Sequence, residues 1–413
     1  MSASHWRPIP IGIGAERWAT RRECKTVLVV VHTVTSGQRV LEAARLLEND
    51  LRIRVVFTHA PDVFGGGVRD LLSGIGAAQI PWEQATSTEF DLALAASLRG
   101  LHEVHAPLIV MPHGAGHNKL VVRRAGRAVG TRTAYDLDAQ RLVHDGALVP
   151  SSIVLAHTED LGHLGRSVPE AVPAAVVCGD PCHDVLVASL ECRPSYQVAL
   201  GAGDGRKLVV VTSTWGTRSL LGRRADLWSR LLAELPEDEF HVVAMLHPNV
   251  WYGYGTWQVR AWLADSLRRG LSLVPPEADW RAVLAAADWV IGDQGSATAY
   301  AAVTGVPVLL GSFAARDCQP GSAQSLLGEV APRITARGSL RRQLHRAAAG
   351  FDAERHRGVV GRLTSEPGRF SRNMWQLMYR RLRLRLPASV PATLPAVPPY
   401  LAGRRTGGGR GLV

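Results

Sequence analysis

The sequence predicts an α/β protein made of two doubly wound domains of similar size, each with a mostly parallel sheet covered on both faces. Three observations lead there. Its 413 residues exceed what one ordinary core holds, and at about 150 residues per domain they leave room for two domains with extensions. Short apolar runs rich in β-branched residues, such as 27–31, alternate with segments of helical spacing, the pattern of buried parallel strands joined by helices. The rhythm is interrupted over 191–206 by Pro194, Gly201, Gly203 and Gly205, and then begins again.

In the first domain, strand 27–31 is followed by Thr35-Ser36-Gly37, which opens a helix with Val40, Leu41, Ala44 and Leu47 on one face. A strand over 52–58, a helical turn over 68–72, a helix over 90–98 and strands over 107–111, 152–156 and 174–177 complete it. The second domain reads as strands 207–212, 240–246, 271–274, 289–291 and 306–310, with helices centred near Leu231, Leu263, Val283 and Ala301. The expected division is an N-terminal extension 1–24, a first domain 25–192, a linker 193–206, a second domain 207–350, a helical segment 351–386 and a disordered tail 387–413. Within 370–386, Trp375, Leu377, Met378, Leu382, Leu384 and Leu386 are interleaved with five arginines. This predicts a C-terminal helix packed back across the first domain, or alternatively an interfacial helix on anionic lipid. From Arg381 onward the alternation fits an extended chain. The Pro-, Ala- and Gly-rich residues beyond are expected not to fold, so cutting after Leu386 is expected to be harmless.

A net charge of +11 and a pI near 10.0 invite a nucleic-acid reading. Lys occurs only at positions 25, 119 and 207, and this Arg skew with abundant Ala, Gly and Pro fits a GC-rich coding bias. The charge therefore leaves an anionic ligand or membrane surface in play and argues for no nucleic acid. Five cysteines without a repeated CxxC pair indicate a reducing, cytoplasmic setting. Arg7, Pro8 and Pro10 interrupt the N-terminal stretch, so no signal peptide is expected there. Cys178, Cys182 and His183 lack a second ligand pair, and the His102, His105, His113 and His117 group lacks a helical HExxH, so no metal is expected. Gly12-Ile13-Gly14 and Gly65-Gly66-Gly67 lack dinucleotide-loop spacing and read as turns.

The chain is organised around Asp288-Trp-Val-Ile-Gly-Asp293-Gln-Gly295-Ser296-Ala297-Thr298, a short strand that stops on an acid and turns into a helix. Gly295, Ser296 and Thr298 sit where helix N-terminal amides and hydroxyls would meet an anion, although Ser and Gly are also ordinary caps. Other marked residues also follow strands: His113-Gly114 in the first domain, and Ser213-Thr214-Trp215 and His247-Pro248 in the second. Doubly wound sheets bind ligands beyond the carboxyl ends of their strands, so a cleft between the domains is the expected site.

The succession Thr214-Trp215, His247-Pro248, Asp293-Gln-Gly-Ser296 and Gly305-Val-Pro307-Val resembles the nucleotide-binding half of CDP-glycerol glycerophosphotransferases, and more distantly the UDP-N-acetylglucosamine 2-epimerases of the same GT-B architecture. In the first domain His113-Gly114 with Lys119, and Gly179-Asp-Pro181-Cys-His-Asp184-Val-Leu186, are similar to that family's acceptor-side motifs. The resemblance implies two Rossmann-like domains facing a cleft and a transferase with no obligatory cofactor. Its substrate would be a CDP- or UDP-type diphosphate donor, from which a sugar or polyol phosphate moves to a hydroxyl acceptor. The interfacial reading of 370–386 would bring the cleft to a lipid-linked acceptor, with peripheral contact at the inner membrane face. By motif position His113 would be the catalytic base and His247 would contact the diphosphate. Thr214, Trp215, Arg218, Asp293, Gly295, Ser296, Ala297 and Thr298 would line the nucleotide, and Ser36, Gly37, Gly114 and Lys119 the acceptor. Gly295 stands where the family has Ser, and Gly216 where it has Arg, with Arg218 a replacement cation. The alternatives are a non-catalytic nucleotide-binding or scaffold protein of this fold, and a nucleotide-sugar epimerase.

Overall fold

The computed structural model describes residues 6–7, 9–11, 17, 19–21, 23–120 and 136–402. The chain divides into two compact units, one formed by 1–184, 317–322 and 361–393, the other by 185–316, 323–360 and 394–413. The Gly12-Ile13-Gly14 turn lies outside the described residues.

In the first unit the strands are β1 (Lys25–Val31), β2 (Ile53–His59), β3 (Gln79–Ile80), β4 (Leu92–Ala95) and β5 (Leu108–Val110). A small antiparallel hairpin comes next, β6 (Val143–His144) and β7 (Ala147–Leu148), then β8 (Ser152–Leu155) and β9 (Ala175–Val177). The main sheet runs in the order β3-β2-β1-β4-β5-β8-β9, and its strands pair in parallel. Val27 to Val31 are wholly buried because helices cover both faces of a central parallel strand. The helix expected over 90–98 is not there: Leu92–Ala95 is β4, lying between β1 and β5. All four of its residues are buried, and a short strand apolar on both faces has the same pattern as a buried helical turn.

The second unit holds β10 (Lys207–Ser213), β11 (Phe240–Leu246), β12 (Ser272–Val274), β13 (Trp289–Gly292) and β14 (Val308–Leu310), all parallel, in the order β12-β11-β10-β13-β14. Each matches its expected range within a residue or two. The interrupting stretch is in part a helix, Arg193–Ala199, and the irregular backbone is confined to the turns before β10, where Gly201 and Gly205 take φ of +81° and +92°. Both sheets reverse their strand order beside the first strand of the unit, between β1 and β4 and between β10 and β13. Such reversals open a crevice at the carboxyl ends of the two strands.

The C-terminal helix, Phe370–Leu382, belongs to the first unit. It buries Phe370, Met374, Trp375, Leu377, Met378, Tyr379 and Leu382, so its apolar face is a core face, as the packing expectation has it. The helix is docked at both ends. The Asp184 carboxylate accepts the Gly368 and Phe370 N–H groups at 2.7 and 3.1 Å. At the other end the Tyr379 hydroxyl donates to Asp50 (2.6 Å), which also binds Arg52. Arg383 ends the helix in the left-handed conformation, φ +54°, and the chain continues extended. The tail carries more structure than its composition suggests. Ala396 and Leu401 are buried; the Tyr196 hydroxyl donates to the Ala396 carbonyl (2.5 Å), and the Ala402 N–H donates to Leu273 (2.8 Å). Residues 403–413 lie outside the described residues. Among the described residues no helix is long and apolar enough to cross a membrane.

Candidate active site

In the second unit, Asp293 ends β13 fully buried and draws two loops together. Its Oδ2 accepts the N–H groups of Thr214 (2.9 Å) and Leu220 (2.8 Å) from the loop after β10, and its Oδ1 accepts that of Gly295 (2.9 Å). Burial raises the Asp293 pKa, while these backbone bonds pull it down. The carboxylate is thus consumed in shaping the loop at the strand-order reversal. Thr298 has a similar duty: its hydroxyl accepts the Asp293 N–H (3.2 Å), and a Cβ on Gly292 would stand 2.3 Å from that hydroxyl. Gly295 is tight for the same reason, its Cβ position lying 3.0 Å from Asp293 Oδ1 and 3.1 Å from Thr214 Cβ. Ser296 and Ala297 form the first turn of the Ser296–Tyr300 helix and are both partly exposed. Arg218 is exposed, and its carbonyl is fixed by Gln294 Nε2 (3.3 Å) and by the Ser312 hydroxyl (3.5 Å), which tie it to the loops after β13 and β14.

His247 follows β11 and caps the Pro248–Trp262 helix. Its Nδ1 accepts the Asn249 N–H at 3.1 Å, so in the neutral ring the proton sits on Nε2, which becomes a donor. Trp215, 38% exposed, holds its ring 6.4 Å from that of His247 at an interplanar angle of 51°. The structure therefore gathers Thr214, Trp215, Arg218, His247 and the Gly295–Ser296 turn at the carboxyl edge of one sheet.

In the first unit, His113 lies beyond β5. Its side chain is 36% exposed, but Nδ1 is buried without a hydrogen-bond partner and faces the Asp136 carboxylate 3.9 Å away. Burial pulls the His113 pKa down to about 4, with Lys119 and Arg39 adding to the effect. Asp136 is pushed up to about 7, first by burial, with Arg141 opposing and Asp138 adding. Arg141 reaches both acids, at 3.7 Å to Asp136 and 2.5 Å to Asp138. The loop after His113 is held on two sides. Arg39, paired with Asp180 at 3.3 Å, donates to the Gly114 carbonyl (3.0 Å), while Lys119 bridges in antiparallel fashion to Cys318. Ser36 and Gly37 build the helix after β1. The Ser36 hydroxyl bonds Thr33 in a capping box, and a Cβ on Gly37 would meet Leu71 and Val31 at 2.7 and 2.8 Å. Neither hydroxyl nor glycine is presented to a ligand by these contacts.

The segment Gly179 to Asp184 also proves architectural. Gly179 takes φ +95°, with the Glu366 carbonyl 2.8 Å from its Cβ position, and Asp184 receives the start of the C-terminal helix. Cys178 is buried, and its thiol is pushed up to about 12 by that burial; His183 is engaged with Asp184 at 3.1 Å. His102 stacks on His144, ring centroids 3.8 Å apart. Among the described residues no three His, Cys, Asp or Glu side chains gather as a metal site. The residues missed from sequence are Asp136, Arg39 and Asn249. Asn249 was the legible one, since a strand-end His can cap a following helix by accepting the backbone N–H two places on; Asp136 and Arg39 reach His113 and its loop only through the fold.

No protein-family model and no curated protein sequence matches the chain. Solved structures do. The wall teichoic acid polymerase TagF, as a histidine variant soaked with CDPG, superposes with a TM-score of 0.60 at 15% identity, covering 87% of this chain and 88% of that one. A histidine-to-alanine variant of TagF gives 0.60 at 14% identity over 88% and 90%. The chain thus has the two-domain GT-B fold of that polymerase, the fold that the sequence resemblance implies.

Proposed function

We propose that this chain is a transferase that moves a sugar or polyol phosphate from a nucleotide diphosphate donor, of the CDP or UDP type, to a hydroxyl acceptor. The observation that carries the reading is at the β10/β13 reversal, where the buried Asp293 ties the Thr214 loop to the Gly295 turn before the Ser296 helix, with Trp215 beside His247 and the Arg218 carbonyl held by Gln294. In this reading the His247 Nε2–H and the first amides of the Ser296 helix donate to the diphosphate, Arg218 adds a positive charge, and Trp215 offers an aromatic face to the nucleoside. These groups meet the leaving nucleotide's charge with protein donors alone, so no metal or other cofactor is invoked. His113 is uncharged at neutral pH and so able to accept the proton of the attacking hydroxyl. Lys119 and Gly114 lie on the same loop and would border the acceptor, which in this reading includes lipid-linked alcohols at the inner membrane face.

Thermal-shift titration with CDP, UDP, GDP and ADP tests this directly. At least one nucleoside diphosphate raises the melting temperature, with CDP or UDP foremost. A chain indifferent to all four has no donor site and is not this transferase.

A further inference from the structure

We propose that Asp136 is the positioning residue of the His113 base: its carboxylate holds the imidazole through Nδ1 and thereby leaves Nε2 as the nitrogen that takes a proton. The inference rests on the reading of His113 as the base of a transfer to a hydroxyl.

The geometry is specific. Asp136 Oδ2 is 3.9 Å from His113 Nδ1, a buried nitrogen with no hydrogen-bond partner, in a side chain that is 36% exposed. A small approach closes that gap to an N–H···O bond, and catalytic hydrogen bonds of this kind are commonly long before substrate is bound. Asp136 itself takes φ +71°, a left-handed conformation unusual outside glycine, and such strain collects where a side chain must be aimed. Its other oxygen, Oδ1, lies 3.7 Å from Arg141 Nε, and Arg141 is anchored in turn on Asp138. One carboxyl oxygen therefore lies toward Arg141 and the other toward the ring.

In the transfer step the acceptor O–H gives its proton to His113 Nε2 while its oxygen forms the bond to the transferred group. The bond from that group to the nucleotide breaks, and the electron pair leaves with the nucleotide. The imidazolium that forms is stabilised by the Asp136 carboxylate across Nδ1–H and later releases its proton to solvent.

The protonation state of the pair decides whether this works. The charged and titratable groups around it are Lys119, Arg39 and His117 near His113, and Arg141, Asp138 and Lys119 near Asp136. Between about 4 and about 7 the pair holds one proton, which burial keeps on the carboxyl; Asp136 then donates to Nδ1, and Nε2 carries the ring hydrogen. Above about 7 the carboxylate accepts from Nδ1–H, and Nε2 is bare. Base competence therefore appears as pH rises through about 7, where the Asp136 carboxyl ionises.

The test uses the full chain with ¹⁵N-labelled histidine, assigned by the loss of one resonance in His113→Ala. In the wild type the His113 ring passes from the Nε2–H to the Nδ1–H tautomer as pH rises through about 7. In Asp136→Asn, a change that a left-handed position tolerates well, the transition is absent, and turnover falls on the order of 10²-fold and no longer rises with pH. A wild-type ring that keeps one tautomer from pH 5 to 9, or a transition that survives in Asp136→Asn, overturns the assignment. The transferase reading fails separately: it falls if no nucleoside diphosphate binds, whatever the ring does.

Discussion

At Asp293 one carboxylate serves two loops, and its replacement separates shape from charge. Asp293→Asn keeps the size but turns an amide donor toward the N–H groups of Thr214, Leu220 or Gly295. The expected cost is about 1–3 kcal/mol for a buried donor left unpaired, read as a lower denaturation midpoint, together with weaker nucleotide binding. An unchanged midpoint would show that the two loops hold without it. His247 and Ser296 are predicted to behave differently. Their alanine variants lose about 1.5–3 kcal/mol of nucleoside diphosphate affinity while the corresponding nucleoside without phosphate is far less affected, and His247→Ala also loses about 1 kcal/mol of stability with its helix cap. Equal losses for both ligands would place the phosphates elsewhere. At this scale the sequence was legible where a marked residue directly follows a strand, as His247 and Asp293 do, or lies just beyond one, as His113 does. It was silent on Asp136, whose relation to His113 depends on the path of the chain and on Arg141. It also offered Ser36 and Gly37 as ligand residues when their spacing equally suits a helix cap and a close helix contact, which is how their contacts are arranged.

Among the elements, the strands of the second unit were readable to within a residue or two because each is a short apolar run bounded by turn residues. β4 was not, because burial on both faces erases the alternation that tells strand from helix. The C-terminal helix shows how a motif can be present for architecture: Gly179 and Asp184 are placed to receive it. Its seven buried side chains, at about 1.5–3 kcal/mol each, are comparable to the ~5–15 kcal/mol of a whole domain. Truncation before Phe370 is therefore predicted to unfold the first unit, measured as loss of its cooperative melting transition. A shorter chain that melts like the parent would mean the helix contributes little to that core. Truncation after Leu386, harmless on composition alone, is now expected to lower the melting temperature modestly, because it removes the Ala396 and Ala402 contacts to Tyr196 and Leu273. The extended segment was hidden in the sequence by its proline content, which forbids helix without forbidding a docked chain.

For the molecule as a whole, two units with the same strand-order logic carry different chemistry at their carboxyl edges. The second presents donors and an exposed indole around a rigid acid; the first presents a neutral histidine beside a carboxyl that is half-protonated near neutral pH. On the proposed reading the labour is divided, nucleotide binding belonging to the second unit and proton acceptance to the first. Calorimetric titration of CDP and UDP into the wild type, His113→Ala and His247→Ala measures it in one comparison. His113→Ala is predicted to bind as the wild type does, while His247→Ala binds roughly ten- to a hundredfold more weakly. A His247→Ala chain that keeps full affinity while His113→Ala loses it would contradict the claim.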